Sequence, residues 1–572
     1  MLNRNILGIK FGGHDTAASL LMNGKIVAAC AQERFTHDKH SRLFPIDAIQ
    51  KCLQIGKIKI TDIDEIAFVN DIKLLLREIY FRPALQNDKR LDYVFSDLEK
   101  IKYAYNTENL IRKKLNYKGP IKFYRHHLCH VASAYYPSGF KNALCISVDG
   151  RGEYETGITV VGKSGKLKVF NNENVYPHSI GLLYSAITHY LGWRHHCDEG
   201  IIMGLAPYGN DLEKIPGSKN SYRKLFKKIL ISKGKLGYKL NLELIDFYTA
   251  RDKWVSEKFI KIFGKKRKYG EKITKHHKNI AAALQNRIEE IIIRQLKYLR
   301  KKTGLDKLCI AGGVGLNCSL NGKIVRKKIF SEVFIQPASG DDGCSMGACL
   351  LANNAYSKKT ILPKKNHNSY LGPSFDNKEI LKNLKISKLR FTKTKKVHQI
   401  IAKHINENKI IAWFQGSSEF GPRALGNRSI LCKPFPSSMK DHLNKNVKFR
   451  EPFRPFAPAV LEEFQKDFFE LKQNSPHMLI ACKVRKNKKK LIPAVVHVDN
   501  TCRVQTVKKE LNKKFYNLIS EFKKISGIPV LLNTSFNVKG QPIVNTPEEA
   551  IKCFKNTKID ILAIGDYVVE KK

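Results

Sequence analysis

Residues 5–31 read NILGIKFGGHDTAASLLMNGKIVAACA, and this stretch decides the fold. Two apolar strand segments, ILGIKFG and TAASLLM, flank a GGHD turn. Asn23-Gly24 then predicts a tight hairpin into KIVAACAQ, because both central residues tolerate positive φ. The layout returns at 143–165, where ALCISVD is a strand, GRGEYET a turn, GITVV a strand and KSG a second hairpin turn. Two strand–turn–strand units, each with a glycine-bearing turn, suggest an internally duplicated α/β fold of the kind that binds nucleotides.

Working outward, Ile280, Leu284, Ile288, Ile292, Leu296 and Leu299 recur at helical spacing, with Gly304 just past the end. That stripe predicts a long helix with a core-facing side. It feeds the strand KLCIAGG and the turn GGVGLN, where glycines after a buried strand let the backbone approach a ligand closely. A plain strand–helix turn explains that string equally well. The polar tract ANNAYSKKTILPKKNHNS at 352–369 predicts a domain boundary near residue 365, giving domains 1–365 and 366–572. The second block carries helices and the strands KIIAWFQ and IPVLLN, so it too reads as α/β.

At 572 residues the chain exceeds what one core holds, and its 42% hydrophobic and 27% charged content is ordinary for a globular protein. The N-terminus lacks a signal-peptide pattern, and no window approaches the roughly 20 apolar residues of a bilayer span. The 13 cysteines form no CxxC pair, and Cys145 and Cys309 sit in apolar runs. Reduced core thiols and a cytoplasmic location are expected. The net charge of +51 comes from 102 basic against 51 acidic residues. It is spread along the chain without a basic tail or RGG repeat, which reads as solvated faces rather than a nucleic-acid function, and anionic small molecules fit the same charge equally well.

RHHLCHVASAYY places His126 and His130 four apart, on one face if the segment is helical. With Asp149 in SVDG and Asp341 in PASGDDG, two histidines and two carboxylates make a ligand set suited to Fe(II) or a similar catalytic metal. His127 is left for a supporting or substrate-facing role. Buried or surface histidines without a metal are the simpler alternative.

The second block is rich in cations. FGPRALGNRSIL carries Arg423 and Arg428, VKFREPFRPFAP carries Lys448, Arg450 and Arg454, and TCRVQT carries Arg503. LLNTSFN adds Asn533, Ser535 and Asn537. Arginine held between proline and phenylalanine is costly without an anionic partner, and guanidinium forks match phosphate. Structural arginine–carboxylate pairs are the alternative, but acidic partners are scarce in these strings. A triphosphate or acyl-phosphate pocket is therefore expected.

The chain resembles the O-carbamoyltransferases of nodulation-factor and antibiotic biosynthesis, the cephamycin, novobiocin and tobramycin type. The resemblance rests on GHDTAASLLMNGKIVAACAQERFT, HHLCHVASAYYPSGF, MGLAPYG, AGGVGLNCSLNGKI, PASGDDGCSMGA, EFGPRALGNRSIL, REPFRPFAPAV and NTSFNVKGQPIV, in this order over nearly the whole length. It implies an N-terminal duplicated actin-like ATPase domain, like that of the universal tRNA threonylcarbamoyl-transfer protein, followed by a YrdC-like α/β domain. The YrdC-like domain would make carbamoyladenylate from carbamoyl phosphate and ATP, with Mg²⁺. The N-terminal domain would pass the carbamoyl group to an acceptor hydroxyl on a small molecule or glycan. The family's metal ligands fall on His126, His130, Asp149 and Asp341, with Fe(II) the expected ion. Nucleotide contacts fall on Gly312, Gly313 and Asn317. Carbamoyl-phosphate and triphosphate contacts fall on Arg423, Lys448, Arg450, Arg454, Arg503, Ser535 and Asn537. His14 and Asp15 would face the transferred group or the acceptor, with His14 as proton acceptor.

Two departures stand out. Ile201 in DEGIIMGLAPYG occupies a position that is usually lysine, and QERFTH puts Gln32 and His37 where the family string reads EERFTR. A tRNA threonylcarbamoyl-transfer enzyme, a basic nucleic-acid-binding protein and a simple ATPase or sugar kinase are the other functions the sequence admits. A homodimer is compatible with all of them.

Overall fold

Both hairpin turns form in the computed structural model, which describes residues 4–250, 253–357 and 360–571. Asn23 and Gly24 take φ of 51° and 73°, and Ser164 and Gly165 take 47° and 84°, so each turn uses the left-handed pair that strand twist demands. The first hairpin belongs to a sheet of β1 (Asn5–Lys10), β2 (Ala17–Met22), β3 (Lys25–Ala31), β4 (Glu65–Val69) and β5 (Ile121–Tyr124), in the order β3-β2-β1-β4-β5. The second belongs to a sheet of β6 (Asn142–Val148), β7 (Glu155–Lys163), β8 (Lys166–Val175), β11 (Lys307–Ala311) and β12 (Glu332–Ile335). A separate ribbon pairs β9 (Leu230–Lys233) with β10 (Gly237–Leu240). The second sheet runs β12-β11-β6-β7-β8, the same scheme read from the other edge. In each, a hairpin-linked meander is extended by two parallel strands, β4 and β5 beside β1, and β11 and β12 beside β6. This is the duplicated sheet expected of an actin-like ATPase fold.

The chain divides into two compact units: residues 1–13, 19–26 and 57–366, and residues 14–18, 27–56 and 367–572. The division is not a single cut. Residues 27–56 belong with the second unit because Ala29 N–H donates to the Leu371 carbonyl and Arg34 donates to the carbonyls of Gly421 and Ile543. Residues 358 and 359 of the polar tract lie outside the described residues.

In the first unit, the helices His126–Ser138 and Asp342–Tyr356 carry the core. Val131, Ala132 and Tyr135 pack on Cys145, Val160 and Cys309 of the second sheet. Cys344, Ala348 and Ala352 pack on Ile6, Leu21 and Val69 of the first. The two helices meet at Gly347, where a Cβ would fall 1.8 Å from the Cys129 carbonyl oxygen, so only glycine permits the approach. The long helix spans Lys275–Thr303, and its six-residue stripe is 0–2% exposed. It stops at Gly304, whose φ of 71° gives a left-handed C-cap.

The second unit is built on β13 (Arg390–Lys393), β14 (Ile411–Phe414), β15 (Arg428–Cys432), β16 (Ala457–Leu461), β17 (Ile480–Lys483), β18 (Thr501–Val507), β19 (Val530–Ser535), β20 (Ile561–Ile564) and β21 (Tyr567–Glu570). Their order is β13-β21-β20-β14-β15-β19-β16-β18-β17. Helices Val397–Asn406 and Lys513–Ser526 cover it with Ile401, Ile405, Phe515 and Phe522 over Trp413, Leu431, Ala459 and Ile561. None of the 13 cysteines is in a disulfide, and no described helix is long and apolar enough to cross a membrane.

Candidate active site

Strand β6 ends at Val148, so Asp149 opens the turn at the parallel-strand end of the second sheet, facing the start of the helix His126–Ser138. Glu153, fully buried in the same turn, accepts hydrogen bonds from the N–H groups of His126 and Asp71 and anchors that helix at its positive end. Helical spacing brings His126 Nε2 and His130 Nε2 to 3.1 Å of each other, and Asp149 Oδ2 lies 3.2 and 3.1 Å from them. Asp341 Oδ1, at the start of the helix Asp342–Tyr356, lies 3.5 and 3.6 Å from the same nitrogens. The four donor atoms lie within 4.8 Å of one another, and all four residues are buried. Two imidazoles and two carboxylates aimed at one point fit a divalent cation.

Burial works against charge on Asp149, yet its carboxyl is held well below the usual range by hydrogen bonds from His126 and His130. Burial also opposes protonation of His130, but Cys344 and the two carboxylates hold it well above its ordinary value. The Cys344 thiol is itself pushed up to about 11 by burial, so at neutral pH the carboxylates carry the negative charge. Cys344 lies close enough to His126 and His130 to be a fifth potential donor, which its place in the apolar GCSMGA string concealed.

His127 is 2% exposed and engaged within the fold. Its Nδ1 bonds Ser147 Oγ at 2.8 Å and its Nε2 bonds the Glu155 carbonyl at 2.9 Å, so both nitrogens serve the fold. Burial, then His126 and His130, hold it well below its ordinary value and keep it neutral. Sequence reading also missed Lys10. It is 2% exposed at the end of β1, and its Nζ lies 3.1 Å from Asp341 Oδ2. The signal was a lone cation closing an otherwise apolar strand.

The GGVGLN turn is tied to the same cluster. Gly313 N–H donates to Asp149 Oδ1 at 3.1 Å, and a Cβ on Gly313 would lie 2.8 Å from that oxygen. Gly312, at φ 87°, abuts the Val148 carbonyl. Asn317 caps Leu320 N–H and exchanges hydrogen bonds with Gln285, so its side chain is already engaged within the protein. His14 and Asp15 fall in the second unit. His14 Nδ1 and His40 Nδ1 lie 2.9 and 2.6 Å from the two oxygens of Asp15, a pairing that sequence reading did not include. Burial raises the Asp15 carboxyl, but the two imidazoles more than reverse this and hold it well below its usual range.

Lys448, Arg450, Arg454 and Arg503 lie close enough to act on one another, beside the strand-end edge of the second unit's sheet. Across that edge, Ile564 registers with Phe414, Phe414 with Arg428, Ser429 with Ser535, Ala457 with Asn533, and Ala459 with Gln505. Ser535 thus ends β19 where β16 begins after the 448–456 loop. Arg503, near the start of β18, lies two strands away from β19, roughly 10 Å. Arg423 sits on the loop that leaves this edge from β14 and re-enters at β15. Lys448, 3% exposed, donates to the Ser535 and Asn537 carbonyls, both at 2.8 Å, and to Asn537 Oδ1 at 2.6 Å. Burial and the neighbouring Arg450 hold its ammonium well below the usual lysine range. Arg450 stacks over Phe456, 4.5 Å from Cζ to ring centre, and is pressed down by burial, Arg454 and Arg503. Arg503 Nε is buried with no hydrogen-bond partner among the described residues. Guanidiniums gathered near a buried lysine could hold a multiply charged anion.

Two residues of these strings do other work. Arg428 is fully buried and donates to the carbonyls of Gln415, Gly416, Asn427 and Pro373 while stacked 3.7 Å over Phe414, so it holds the loop rather than an anion. Asn533 is consumed by the Ala424 carbonyl and Gln505.

Residues 5–350 match the family model described as carbamoyltransferase N-terminus, and residues 402–571 match carbamoyltransferase C-terminus. The chain belongs to the carbamoyltransferase family. Nodulation protein NolNO of Sinorhizobium fredii is 36% identical, covering 98% of this chain and 79% of that protein. An uncharacterised Synechocystis protein is also 36% identical over 99% of this chain and 97% of its own length. The 3'-hydroxymethylcephem-O-carbamoyltransferase of Streptomyces clavuligerus is 34% identical over 45% of this chain and 48% of that enzyme. Among solved structures, full-length HypF in its phosphate- and nucleotide-bound form aligns over 63% of this chain and 56% of its own, at 14% identity and a TM-score of 0.31.

Proposed function

We propose that this carbamoyltransferase makes carbamoyladenylate and transfers its carbamoyl group to a hydroxyl of a sugar-bearing acceptor, in the cytoplasm. In the activation step, carbamoyl phosphate, ATP and water become carbamoyladenylate, pyrophosphate and phosphate. Arg423, Lys448, Arg450, Arg454 and Arg503, with Ser535 and Asn537, hold the phosphates of both substrates, with Mg²⁺ on ATP. The observation that carries this is Arg450, whose guanidinium is held well below its usual range by burial, Arg454 and Arg503 and whose charge a bound phosphate would offset.

In the transfer step, the acceptor oxygen attacks the carbamoyl carbon, AMP leaves, and the hydroxyl proton is taken up. His14 suits that task. Its Nδ1–H donated to Asp15 fixes the tautomer in which Nε2 is the acceptor, and His40 holds the other Asp15 oxygen. His126, His130, Asp149 and Asp341 would hold a divalent cation, Fe(II) by resemblance, which when bound supplies a Lewis acid to the carbonyl. Gly312 and Gly313 would present backbone to the nucleotide.

The test is carbamoyl-phosphate-dependent exchange of labelled pyrophosphate into ATP. It should be strong in the wild type, lost in Arg503→Met, and kept in His14→Ala, which should instead fail to carbamoylate acceptors from preformed carbamoyladenylate. Exchange that ignores carbamoyl phosphate would sink the activation step. Full transfer by His14→Ala would remove that residue from the mechanism.

A further inference from the structure

The exposed apolar residues of this chain are not scattered evenly. Of the eighteen large hydrophobic side chains that stand exposed among the described residues, seven fall between Phe81 and Tyr105, from 42% exposed at Tyr103 to 89% at Leu85. Single exposed leucines and phenylalanines are ordinary on a protein surface, but seven within so short a stretch are not. The chemistry above makes no use of them.

The pattern within the stretch is regular. Phe81 and Leu85 stand two residues either side of Pro83, which is buried in the helix Arg82–Gln86. Leu91 and Phe95 stand two residues either side of Tyr93, which is buried in the helix Asp88–Ser96. Two residues are ~200° of helical rotation, so each pair points away from the side that its helix buries. Asn87 joins the two helices in an extended conformation, φ −156° and ψ 115°, and they pack on each other. The next helix, Leu98–Tyr105, adds exposed Leu98 and Tyr105. With whole side chains on the order of 150–200 Å² each, these six leave roughly 550–750 Å² of ring and aliphatic surface in water. The largest apolar patch of a typical monomer is about 300–600 Å², and each side of a standard protein–protein interface is about 800 Å². The face is large for a lone surface and close in size to half of a stable dimer interface.

Charge narrows the occupant. An anionic bilayer or a nucleic acid is held by clusters of uncompensated lysine and arginine. Residues 81–105 carry five basic side chains against four acidic ones. Lys100 is paired with Asp97 at 2.8 Å and Lys102 with Glu99 at 2.9 Å, which leaves little charge to attract an anionic surface. The whole chain carries +51, so two copies repel each other over most of their surface. They approach with least repulsion where local charge is near zero, and this stretch offers apolar area at the same place.

We infer that the outward face of the 81–105 helices is where two copies of this chain dock, each presenting the same patch across a two-fold axis. The inference rests on no part of the proposed reaction.

Sedimentation velocity of the full-length protein over a hundredfold range of micromolar concentration tests it. The wild type should pass from monomer to dimer. Because the interface joins apolar faces of two like-charged chains, added salt should tighten the dimer by screening their repulsion. Leu85→Glu/Phe95→Glu should raise the dimer Kd at least about 100-fold, and the milder Leu85→Ala/Phe95→Ala about 10-fold or more. Both residues are exposed, so each double variant should keep the wild-type circular dichroism. Ile386→Glu changes an apolar residue that is 71% exposed outside the patch and should leave the dimer intact. The inference is overturned if the wild type stays monomeric at every concentration, if a dimer survives in Leu85→Glu/Phe95→Glu, or if added salt dissociates it. It is equally overturned if the patch instead holds a monomer on phosphatidylglycerol vesicles and the glutamate variant loses that binding.

Discussion

Lys10→Met removes one partner from a buried ion pair and gives the first unit its sharpest energetic test. Lys10 is 2% exposed, Asp341 8%, and Nζ lies 3.1 Å from Oδ2. After burial, Lys10 is the largest influence on the Asp341 carboxyl and holds it well below its usual range. Truncating one member of such a pair leaves the other charge uncompensated and costs ~3–5 kcal/mol. His126 and His130 face the other Asp341 oxygen at 3.5 and 3.6 Å and share the compensation, which places the loss at the lower end, ~3 kcal/mol in metal-free protein. A divalent cation would neutralise the same carboxylate and shrink the loss. Two units make one unfolding midpoint ill-defined, so the readout is native-state hydrogen exchange of β1 and the helix Asp342–Tyr356. A loss of ~3 kcal/mol accelerates their slowest amides on the order of 100-fold. The Lys10→Met/Asp341→Asn double variant should fall short of additivity by about 1 kcal/mol or more. Unchanged exchange together with additive effects would refute the pairing.

Three further outcomes follow. Gly347→Ala puts a methyl 1.8 Å from the Cys129 carbonyl and must push apart the helices that carry His126, His130 and Asp341. It should lower divalent-cation affinity, measured by calorimetry, at least about tenfold, while overpacking costs ~1–3 kcal/mol; wild-type affinity would show that the helices do not set the donor spacing. Arg450→Met should weaken pyrophosphate binding roughly 10- to 100-fold, the worth of one charge-assisted hydrogen bond, and an unchanged Kd would remove Arg450 from the anion site. Because burial holds Lys448 below its usual range, the free protein carries fewer protons there than a lysine in water does, and an arriving anion raises its affinity for one. Pyrophosphate binding at alkaline pH should therefore take up protons, seen as buffer-dependent heats that vanish in Lys448→Met; proton release would contradict the assignment.

The fold was legible where local chemistry dictates it. Asn23-Gly24 and Ser164-Gly165 can only turn one way between apolar strands, and finding the motif twice announces the duplication. The spacing of His126 and His130 likewise needs only a helix to become a pair. What sequence could not show depends on contacts between distant segments. Lys10 looks like a strand-end lysine until Asp341 is placed beside it, and His40 becomes meaningful only through Asp15. Nor could the strings sort arginines by role: Arg428 and Arg423 lie in one motif, yet the carbonyls that consume Arg428 come from Gln415, Gly416, Asn427 and Pro373. The second unit's sheet was mostly hidden because its strands run only 4–7 residues and alternate with irregular loops.

The central claim is that activation cleaves ATP between the α- and β-phosphates. With ATP labelled in the α-phosphate, carbamoyl phosphate and an acceptor glycan that the protein carbamoylates, quenched time courses should show AMP, pyrophosphate and carbamoylated acceptor appearing in equal amounts, with no AMP when carbamoyl phosphate is withheld. Labelled ADP as the product, or AMP formed at the same rate without carbamoyl phosphate, would contradict it.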